Sequence, residues 1–391
     1  MSKFTNTLRT VFRETDFLLL LLCVVTSVFG ILMVSSATAV DVEEGARISR
    51  DTLAMIIAVA AGLGFSIVIS FIDYNIITKL YPVIAGVCLL LMAATLVFGV
   101  GPAERQDAKT WLRLGGTGLY FQPSELLKIG FLVTFGVHIE KVRDRLNELK
   151  TILLLGVHAM IPIGLVAVSG DMGSALVFVL MTVVMFFCAG VQLRYFIVGG
   201  ALVAAALPVV WFYLFDSIQK ERFLGLIYPD LYEDIMYQQT KGITAIRGGG
   251  LFGQGLFKGA LTSAGIVPEN ENDMIFTCIG EELGLVGCVA ALGLLLLIMI
   301  RIFQIGYRSR LVSTKLICCG MAAMIGAQTV INVGMCLVIF PVIGITLPFF
   351  SAGGSSNLCV YLGIGLVLGI YRFDREKDLK TFHLSGPLVF E

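Results

Sequence analysis

The chain has 391 residues, of which 57% are hydrophobic and only 14% are charged. Together with a mean hydropathy of +0.91, this composition excludes a soluble globular protein and predicts an integral membrane protein. The 28 basic residues balance the 28 acidic ones, so the charge gives no indication of a nucleic-acid partner.

Ten apolar segments are long enough to cross a bilayer as helices, since the hydrocarbon layer is ~30 Å thick. In chain order they cover residues 17–38, 52–72, 77–99, 124–139, 152–168, 172–190, 195–215, 274–302, 314–340 and 352–371. The predicted fold class is an all-α integral membrane protein with about ten transmembrane helices. Residues 1–391 are expected to form a single polytopic domain, because no segment outside the spans is long enough to fold alone.

Basic residues in the short loops predict the orientation of the chain. Lys and Arg residues precede the first span, follow the fourth, sixth and eighth spans, and follow the last one. With ten spans these positions share one side of the membrane, so we expect both termini in the cytoplasm. The outer face then carries three segments with unusual residues: 100–123, a large loop over 216–273 between the seventh and eighth spans, and 341–357.

An aromatic and basic patch precedes the fourth span, where Trp111 lies between Lys109 and Arg113. Interfacial tryptophans commonly anchor a protein in the membrane. The patch therefore has two interpretations, which are a membrane anchor and a contact surface for a lipid-linked sugar.

Two opposite charges lie in the first turns of the fourth span. Glu125 and Lys128 are spaced i, i+3, which places them on one face of a helix, and Ser124 is one turn from Lys128. One interpretation is a buried ion pair that offsets its own desolvation. The other is a cation in an outward-facing cavity, suited to a phosphate and held in place by Glu125.

Asp171 lies at the turn between the fifth and sixth spans, next to Gly170. Turn chemistry alone explains an aspartate at such a position, and direct contact with a substrate is the alternative. In the large outer loop, residues 234–245 are predicted to form a helix. The glycine-rich residues 248–257 are expected to lie in the interface or to dip into the protein.

The most informative tract runs over residues 267–284, where five acidic residues cluster as a polar loop becomes a long apolar helix. Ionisable groups at a membrane boundary are costly, so they usually serve a substrate path or chemistry. Asp273 is the strongest candidate, either as a catalytic carboxylate or as a helix cap. On a continuous helix, Glu281 would lie about 80° around the axis from Asp273 and roughly two turns deeper, so that both could line one cavity. Glu269 precedes them in the same tract.

Four motifs together resemble the SEDS (shape, elongation, division and sporulation) family. They are, in chain order, Trp111-Leu112-Arg113-Leu114-Gly115 followed by Phe121-Gln122-Pro123-Ser124-Glu125; Tyr237-Gln238-Gln239 followed by Gly249-Gly250-Leu251-Phe252-Gly253; Pro268-Glu269 followed by Asp273 and Gly280-Glu281-Glu282; and Leu347-Pro348-Phe349-Phe350-Ser351-Ala352-Gly353-Gly354-Ser355-Ser356. The resemblance covers residues 13–375 and is highly specific, because independent motifs agree.

The sequence departs from the pattern of that family at several motif positions. Ser169-Gly170-Asp171 keeps the acid of the usual Gln-Pro-Asp but loses Gln-Pro, and Glu271-Asn272 replaces His-Thr before the key aspartate. Thr110 replaces a basic residue, and Ala352 replaces a tyrosine. The short N-terminus with Asp16-Phe17-Leu18 is more similar to the RodA branch than to the FtsW branch.

The resemblance implies a peptidoglycan glycosyltransferase in a bacterial plasma membrane. Its substrate would be lipid II, a disaccharide-peptide on undecaprenyl pyrophosphate, which it would join into glycan strands on the outer face. Asp273 would carry over as the catalytic carboxylate, a general base for the acceptor's 4-hydroxyl, with inversion at the donor carbon. We expect substrate contacts from Lys128, Glu125, Ser124, Gln122, Trp111, Lys109, Arg113, Asp171, Glu269, Glu281, Ser355 and Ser356.

The resemblance also implies partners and a cofactor. A class B penicillin-binding protein, the transpeptidase that cross-links the strands, would bind the chain within the lipids of the membrane. A divalent cation, Mg or Mn, would bridge the pyrophosphate and carboxylates, held by few protein ligands.

Two other functions use the same residues. A lipid II flippase would need polar groups through the full depth of the membrane, whereas the acids here crowd the outer third. A scaffold that only recruits the transpeptidase would leave Asp273 and Lys128 unexplained.

Overall fold

The computed structural model describes residues 15–42, 48–101, 108–113, 115 and 120–384, and side chains as far as residue 375 except at 214. Residues 1–14 and 385–391, on which the predicted cytoplasmic termini fall, lie outside this range. The helices of the described residues are α1 Phe17–Ala37, α2 Arg50–Ser70, α3 Tyr74–Lys79, α4 Tyr81–Phe98, α5 Pro123–Lys141, α6 Leu149–Val168, α7 Met172–Ala189, α8 Leu193–Val209, α9 Ser217–Ile227, α10 Glu233–Gly249, α11 Ile275–Arg308, α12 Val312–Cys336 and α13 Gly354–Leu384.

These helices confirm the predicted all-helical membrane fold. Within the described part of the chain, nine helices are long and apolar enough to cross a membrane. The remaining predicted span, 124–139, is the 19-residue helix α5, which contains Glu125, Lys128 and Glu140. Its length of about 28 Å at 1.5 Å per residue matches the hydrocarbon thickness. Glu125 and Lys128 are buried inside the bundle, so α5 carries charged residues and is nevertheless largely enclosed by the other helices.

Two local features differ from the sequence prediction. The predicted span 77–99 is two helices, α3 and α4, with Pro82 in the first turn of α4 where its missing amide is tolerated. A short antiparallel hairpin precedes α5, with strands β1 Leu112–Arg113 and β2 Tyr120–Phe121. Two-residue strands carry too little alternation to be found from sequence.

The bundle is layered around α5, α12 and α13. Most residues of α5 and α12 are buried, whereas no residue of α8 is. Helix α13 packs along α2, where small residues allow close approach: a Cβ on Gly365 would lie 2.8 Å from the Ser66 backbone. Such small-residue contacts are the usual means of helix association in lipid. The outward faces of α1, α4, α6 and α8 carry exposed Leu, Val, Ile and Phe side chains, as a lipid-facing surface requires.

The large loop between α8 and α11 contains α9 and α10, and it fills a break in α11. Gly284 interrupts α11 with φ 65° and ψ −161°. The amides of Leu285 and Val286 donate to the carbonyls of Gly250 and Leu251, at 3.0 and 3.1 Å. In return, Gln254 N and Gly255 N donate to the carbonyls of Glu281 and Glu282, at 3.0 and 2.9 Å. The glycine-rich segment therefore supplies the backbone hydrogen bonds that the break in α11 leaves open.

The side chains of Glu281 and Glu282 fix the rest of this loop. Glu281 accepts hydrogen bonds from Leu261 N at 3.0 Å and from Thr262 N and Oγ1 at 2.8 and 2.6 Å. Glu282 accepts from Phe257 N at 3.1 Å, and from Ser263 Oγ at 2.9 Å and Ser36 Oγ at 2.5 Å. Both carboxylates are buried and satisfied by the protein itself.

We expect Gly253→Ala to destabilise the fold more than Gly265→Ala. Both glycines have positive φ, 79° and 67°, so both variants carry the left-handed strain of ~1–2 kcal/mol. A Cβ on Gly253 would also lie 2.0 Å from the Glu282 carbonyl oxygen, whereas nothing lies within 4 Å at Gly265. The overpacking should cost about 1–3 kcal/mol more. Thermal unfolding in detergent is the measurement, and equal losses would show that the 250–255 segment does not pack into α11.

Candidate active site

Three hydrogen bonds hold the backbone of residues 271–273 immediately before α11. The carbonyl of Asp273 accepts from Asn332 Nδ2 at 2.8 Å, and that of Asn272 accepts from Ser351 Oγ at 2.7 Å. The carbonyl of Glu271 accepts from Ala352 N at 2.9 Å. Asn332 Nδ2 also donates to Ile345 O at 2.8 Å, so one amide joins the acidic segment to the loop between α12 and α13. The position of Asp273 is thereby fixed through its main chain.

The carboxylate of Asp273 is not used as a helix cap. The residue that caps α11 is Met274, and no side chain there accepts from the first turn. The carboxylate instead lies beside residues 343–345, since a Cβ on Gly344 would be 3.5 Å from Asp273 Oδ2. Of the two sequence interpretations, the cap is therefore wrong for this structure.

The surroundings of Asp273 are acidic. Burial is the largest of the effects that raise the pKa of its carboxyl to about 7; the charges of Glu269, Glu271 and Asp171 add to it, while Arg222 acts in the opposite direction. Burial likewise raises the pKa of Glu271 to about 7, with Glu269 adding to the effect. A carboxyl that titrates near pH 7 is suited to exchange protons at physiological pH.

Asp171 joins the N-termini of α5 and α7. Its Oδ1 accepts from Ser174 N at 2.9 Å and so caps α7. Its Oδ2 accepts from Gln122 Nε2 at 2.9 Å and from Ser124 Oγ at 3.0 Å. The structure thus brings together three of the predicted site residues, with capping as the local reason for the aspartate. The same 343–345 segment passes this cap, because a Cβ on Gly173 would lie 2.7 Å from Ile343 O.

The predicted serines of the closing motif lie nearby. Ser355 Oγ accepts from Gln122 N at 3.2 Å and donates to Tyr120 O at 3.3 Å, which ties α13 to β2. Ser356 Oγ lies 3.0 Å from Thr346 Oγ1 and ties α13 to the preceding loop. Ser355 therefore joins α13 to the residues that precede α5, and Ser356 joins it to the loop that also contains the 343–345 segment beside Asp273.

Glu125 and Lys128 form a closed ion pair. Lys128 Nζ donates to Glu125 Oε1 at 2.8 Å, and the side chains of the lysine and the glutamate are 0% and 5% exposed. Glu125 Oε2 is buried without a hydrogen-bond donor among the described residues. In this conformation the ammonium does not face an open cavity, as one sequence interpretation required, and the arrangement matches the buried-pair interpretation.

The basic patch before α5 is more open. Lys109 and Arg113 are exposed, and Trp111 is half-buried against Tyr120, with 6.3 Å between ring centroids. Lys109 Nζ donates to the carbonyl of Leu96 at 3.0 Å and so serves the C-terminal end of α4. Residues 102–107, 114 and 116–119 of the same outer segment lie outside the described range.

Comparison with known proteins identifies the family. Residues 16–376 match the family described as Cell cycle protein, whose named members are FtsW, RodA and SpoVE. The chain belongs to the FtsW/RodA/SpoVE family. The match spans nearly the whole described structure, and the predicted SEDS resemblance is confirmed.

Individual relatives match this chain over more than nine-tenths of their lengths. The chain is 32% identical to the probable peptidoglycan glycosyltransferase FtsW of Trichlorobacter lovleyi, over 95% of this chain and 96% of that protein. It is 30% identical to the peptidoglycan glycosyltransferase MrdB of Escherichia coli K12, over 90% of this chain and 92% of that protein. A solved chain described under "Structural coordination of polymerization and crosslinking by a peptidoglycan synthase complex" superposes with a TM-score of 0.77. The two chains are 28% identical, and the match covers 92% of the present chain and 98% of the solved one.

Of two further predicted site residues in this FtsW/RodA/SpoVE-family member, Glu281 does not lie where the sequence analysis expected it, and Glu269 lies at the surface. Glu281 does not share a cavity with Asp273, because its carboxylate is buried under residues 261–262. The sequence argument assumed free space beside a continuous helix, and the loop between α8 and α11 occupies that space. Glu269 is exposed with φ 53°, and its Oε2 accepts from Asn272 Nδ2 at 3.0 Å.

Three residues that contact or influence the site were missed as site residues by the sequence analysis. Asn332 and Ser351 hold the acidic segment through its carbonyls, and Arg222 is the cation that lowers the pKa of Asp273. Arg222 Nη1 also donates to Val342 O at 2.7 Å, next to the 343–345 segment. Asn332 had a weak signal as a polar residue in a span, but its partners lie 59 and 13 residues away.

The described side chains do not form a ready-made metal site. Within the described ranges, no three His, Cys, Asp or Glu residues are grouped so that they could hold a metal ion. The predicted divalent cation therefore has no built ligand set in this part of the protein.

We expect Asn332→Leu to destabilise the protein strongly and Gln328→Leu, one turn away on α12, to have little effect. The first change leaves the carbonyl of Ile345 without a donor, at ~1–3 kcal/mol, and leaves that of Asp273 with only the weak donor Cys336 Sγ at 3.7 Å. Gln328 is buried at the same depth, but neither polar atom of its amide has a partner among the described residues. Thermal unfolding in detergent compares the two variants. A larger loss for Gln328→Leu would contradict the assigned role of Asn332.

Proposed function

We propose that the chain is a peptidoglycan glycosyltransferase that polymerises lipid II into glycan strands. Membership of the FtsW/RodA/SpoVE family, with relatives named as peptidoglycan glycosyltransferases along the full length of the chain, carries this proposal. The site adds a carboxyl with a pKa of about 7, held rigidly by its backbone at the end of a spanning helix. The direct test is the purified chain, with and without its partner, given labelled lipid II and scored for polymer.

In the proposed reaction, Asp273 acts as general base. The deprotonated carboxylate takes the proton from the 4-hydroxyl of the acceptor sugar as that oxygen attacks the anomeric carbon of the donor. The bond from this carbon to the pyrophosphate oxygen breaks, and undecaprenyl pyrophosphate leaves. A single direct displacement inverts the donor carbon. The fixed backbone of residues 271–273 supports this role, since proton transfer in the transition state depends on position.

Negative charge that develops on the pyrophosphate requires cations. Lys109 and Arg113 are exposed beside the outer end of α5 and are suited to contact it. Arg222 acts on Asp273 electrostatically and lies on α9 of the outer loop. Because the described residues hold no metal ligand set, we propose that a divalent cation, Mg or Mn, is bound mainly by the pyrophosphate itself.

We further propose that this chemistry takes place on the outer face of a bacterial plasma membrane, with both termini inside. The positions of Lys and Arg in the short loops support this orientation. The multi-pass fold itself rests on the apolar helices and on the membrane-embedded relatives. The proposed partner is a class B penicillin-binding protein transpeptidase, in line with the similar chain from a peptidoglycan synthase complex.

Asp273→Asn should reduce polymerisation by at least ~100-fold while leaving the fold intact, because the isosteric amide cannot accept a proton. In the unmodified protein the deprotonated form is active, so the rate should rise with pH through a midpoint of about 7 and level off above it. Glu269→Gln removes a charge that raises the pKa of Asp273, and it should move this midpoint to lower pH. A rate that does not change between pH 6 and 8, or an Asp273→Asn variant with a tenth of the normal rate, would exclude Asp273 as the base.

The Glu125–Lys128 pair should be essential for stability. Lys128→Met alone leaves a buried carboxylate without its cation, which typically costs about 3–5 kcal/mol. The double variant Glu125→Gln, Lys128→Met should regain most of the lost thermal stability. Polymerisation by the double variant then separates the two interpretations: a rate that stays low supports contact with pyrophosphate, and a recovered rate shows that the pair is structural.

A further inference from the structure

A polar cavity lies at the opposite end of the bundle from Asp273, between the last turns of α11 and the middle of α13. Its volume is about 210 Å³, and it is lined by Arg301, Gln304, Ile305, Arg308, Tyr371, Asp374 and Arg375. None of these residues takes part in the site described above. The cavity combines three guanidinium groups with one carboxylate, which is an unusual composition beside apolar spans.

The cavity lies at the depth of the lipid headgroups. Helix α13 begins at Gly354 beside the candidate active site, so Tyr371 is about 26 Å further along it at 1.5 Å per residue. That distance is close to the ~30 Å thickness of the hydrocarbon layer. Tyr307 and Tyr371 lie at the same end, as is typical of side chains at a membrane interface. A headgroup is therefore the ligand that reaches this cavity without leaving the bilayer.

The charges in the cavity are not equivalent. Arg301 is committed to Asp16, whose carboxylate accepts from its Nε at 3.1 Å and from its Nη2 at 2.5 Å while capping α1. Arg308 is exposed, and no carboxylate among the described residues pairs with it. Arg375 Nη1 donates to Tyr371 Oη at 3.0 Å, so its guanidinium is held at the cavity wall. Arg308 and Arg375 thus provide positive charge for a phosphate.

Asp374 provides the second half of the site. Its Oδ1 is buried and has no hydrogen-bond donor among the described residues. A buried carboxylate oxygen without a donor is costly, so a ligand that brings an N–H group would be favoured there. A purely anionic headgroup would satisfy the arginines and be repelled by Asp374. A headgroup with a phosphate and a primary ammonium matches both.

We propose that this cavity binds the headgroup of a phosphatidylethanolamine lipid. The phosphate lies against Arg308 and Arg375, and the ammonium donates to Asp374. Ethanolamine and choline carry the same positive charge. The primary ammonium of ethanolamine has N–H donors, whereas the quaternary nitrogen of choline has no N–H group. Binding of a headgroup here joins α11 to α13, the two helices whose opposite ends flank the candidate active site.

The test is native mass spectrometry of the full chain in detergent, titrated with dioleoyl lipids that carry ethanolamine, choline or glycerol headgroups. We expect phosphatidylethanolamine to bind at least about tenfold more tightly than phosphatidylcholine, because only the ethanolamine ammonium can donate a charge-assisted hydrogen bond to Asp374. Equal binding of these two lipids would overturn the role of Asp374. Tightest binding of phosphatidylglycerol would overturn the proposal in favour of a simple anionic-lipid site.

Variants separate the two halves of the cavity. Asp374→Asn, which keeps the shape of the side chain, should bring phosphatidylethanolamine binding down to the level of phosphatidylcholine and should not weaken phosphatidylglycerol. Arg308→Gln should weaken all three lipids. Arg143→Gln removes an exposed arginine from the loop between α5 and α6, away from the cavity, and is the matched control. If Arg143→Gln weakens binding as much as Arg308→Gln does, the lipids respond to general surface charge and the proposal fails.

Discussion

The break in α11 at Gly284 is the constraint on which the half of the protein that contains the candidate active site depends. In lipid, backbone groups must be satisfied within the protein, and a left-handed residue inside a spanning helix leaves several of them open. The glycine-rich segment over 250–255 closes them through four main-chain hydrogen bonds. This requirement brings the loop between α8 and α11 onto α11 itself, where Glu281 and Glu282 fix its continuation over 257–263.

The loop that closes the break continues into the acidic segment before α11. In that segment the backbone carbonyls hold the chain in position, and the carboxylate of Asp273 is left for chemistry. The carbonyls of residues 271–273 all have donors, from Ala352, Ser351 and Asn332. The carboxylate of Asp273 is left without such donors among the described residues, and burial together with the neighbouring acids raises its pKa. Because the backbone hydrogen bonds hold the chain, the carboxylate of Asp273 can stay in place although its charged form is destabilised. A general base that titrates near pH 7 requires both properties.

The sequence was sufficient for the membrane-spanning helices, because length and apolar composition are local properties. It also made Asp273 a candidate, because a carboxylate at a membrane boundary is visible in the local sequence. It was insufficient for Glu281, which belongs to the same acidic tract and carries the same kind of side chain. Its role depends on donors at 261–262 that no periodicity relates to it. The same limit applies to Asn332, because one amide joins segments that come together only when α11 and α12 have packed.

The departures of this chain from the SEDS pattern fall where contacts are made by the main chain. Ala352, which replaces a tyrosine, donates through its amide, and Glu271 and Asn272, which replace His-Thr, accept through their carbonyls. Ser169 likewise accepts from Lys109 N through its carbonyl. Asp171 and Ser351, which keep the pattern, act through their side chains. A backbone contact places little demand on residue type, so the site can keep its geometry while these side chains change.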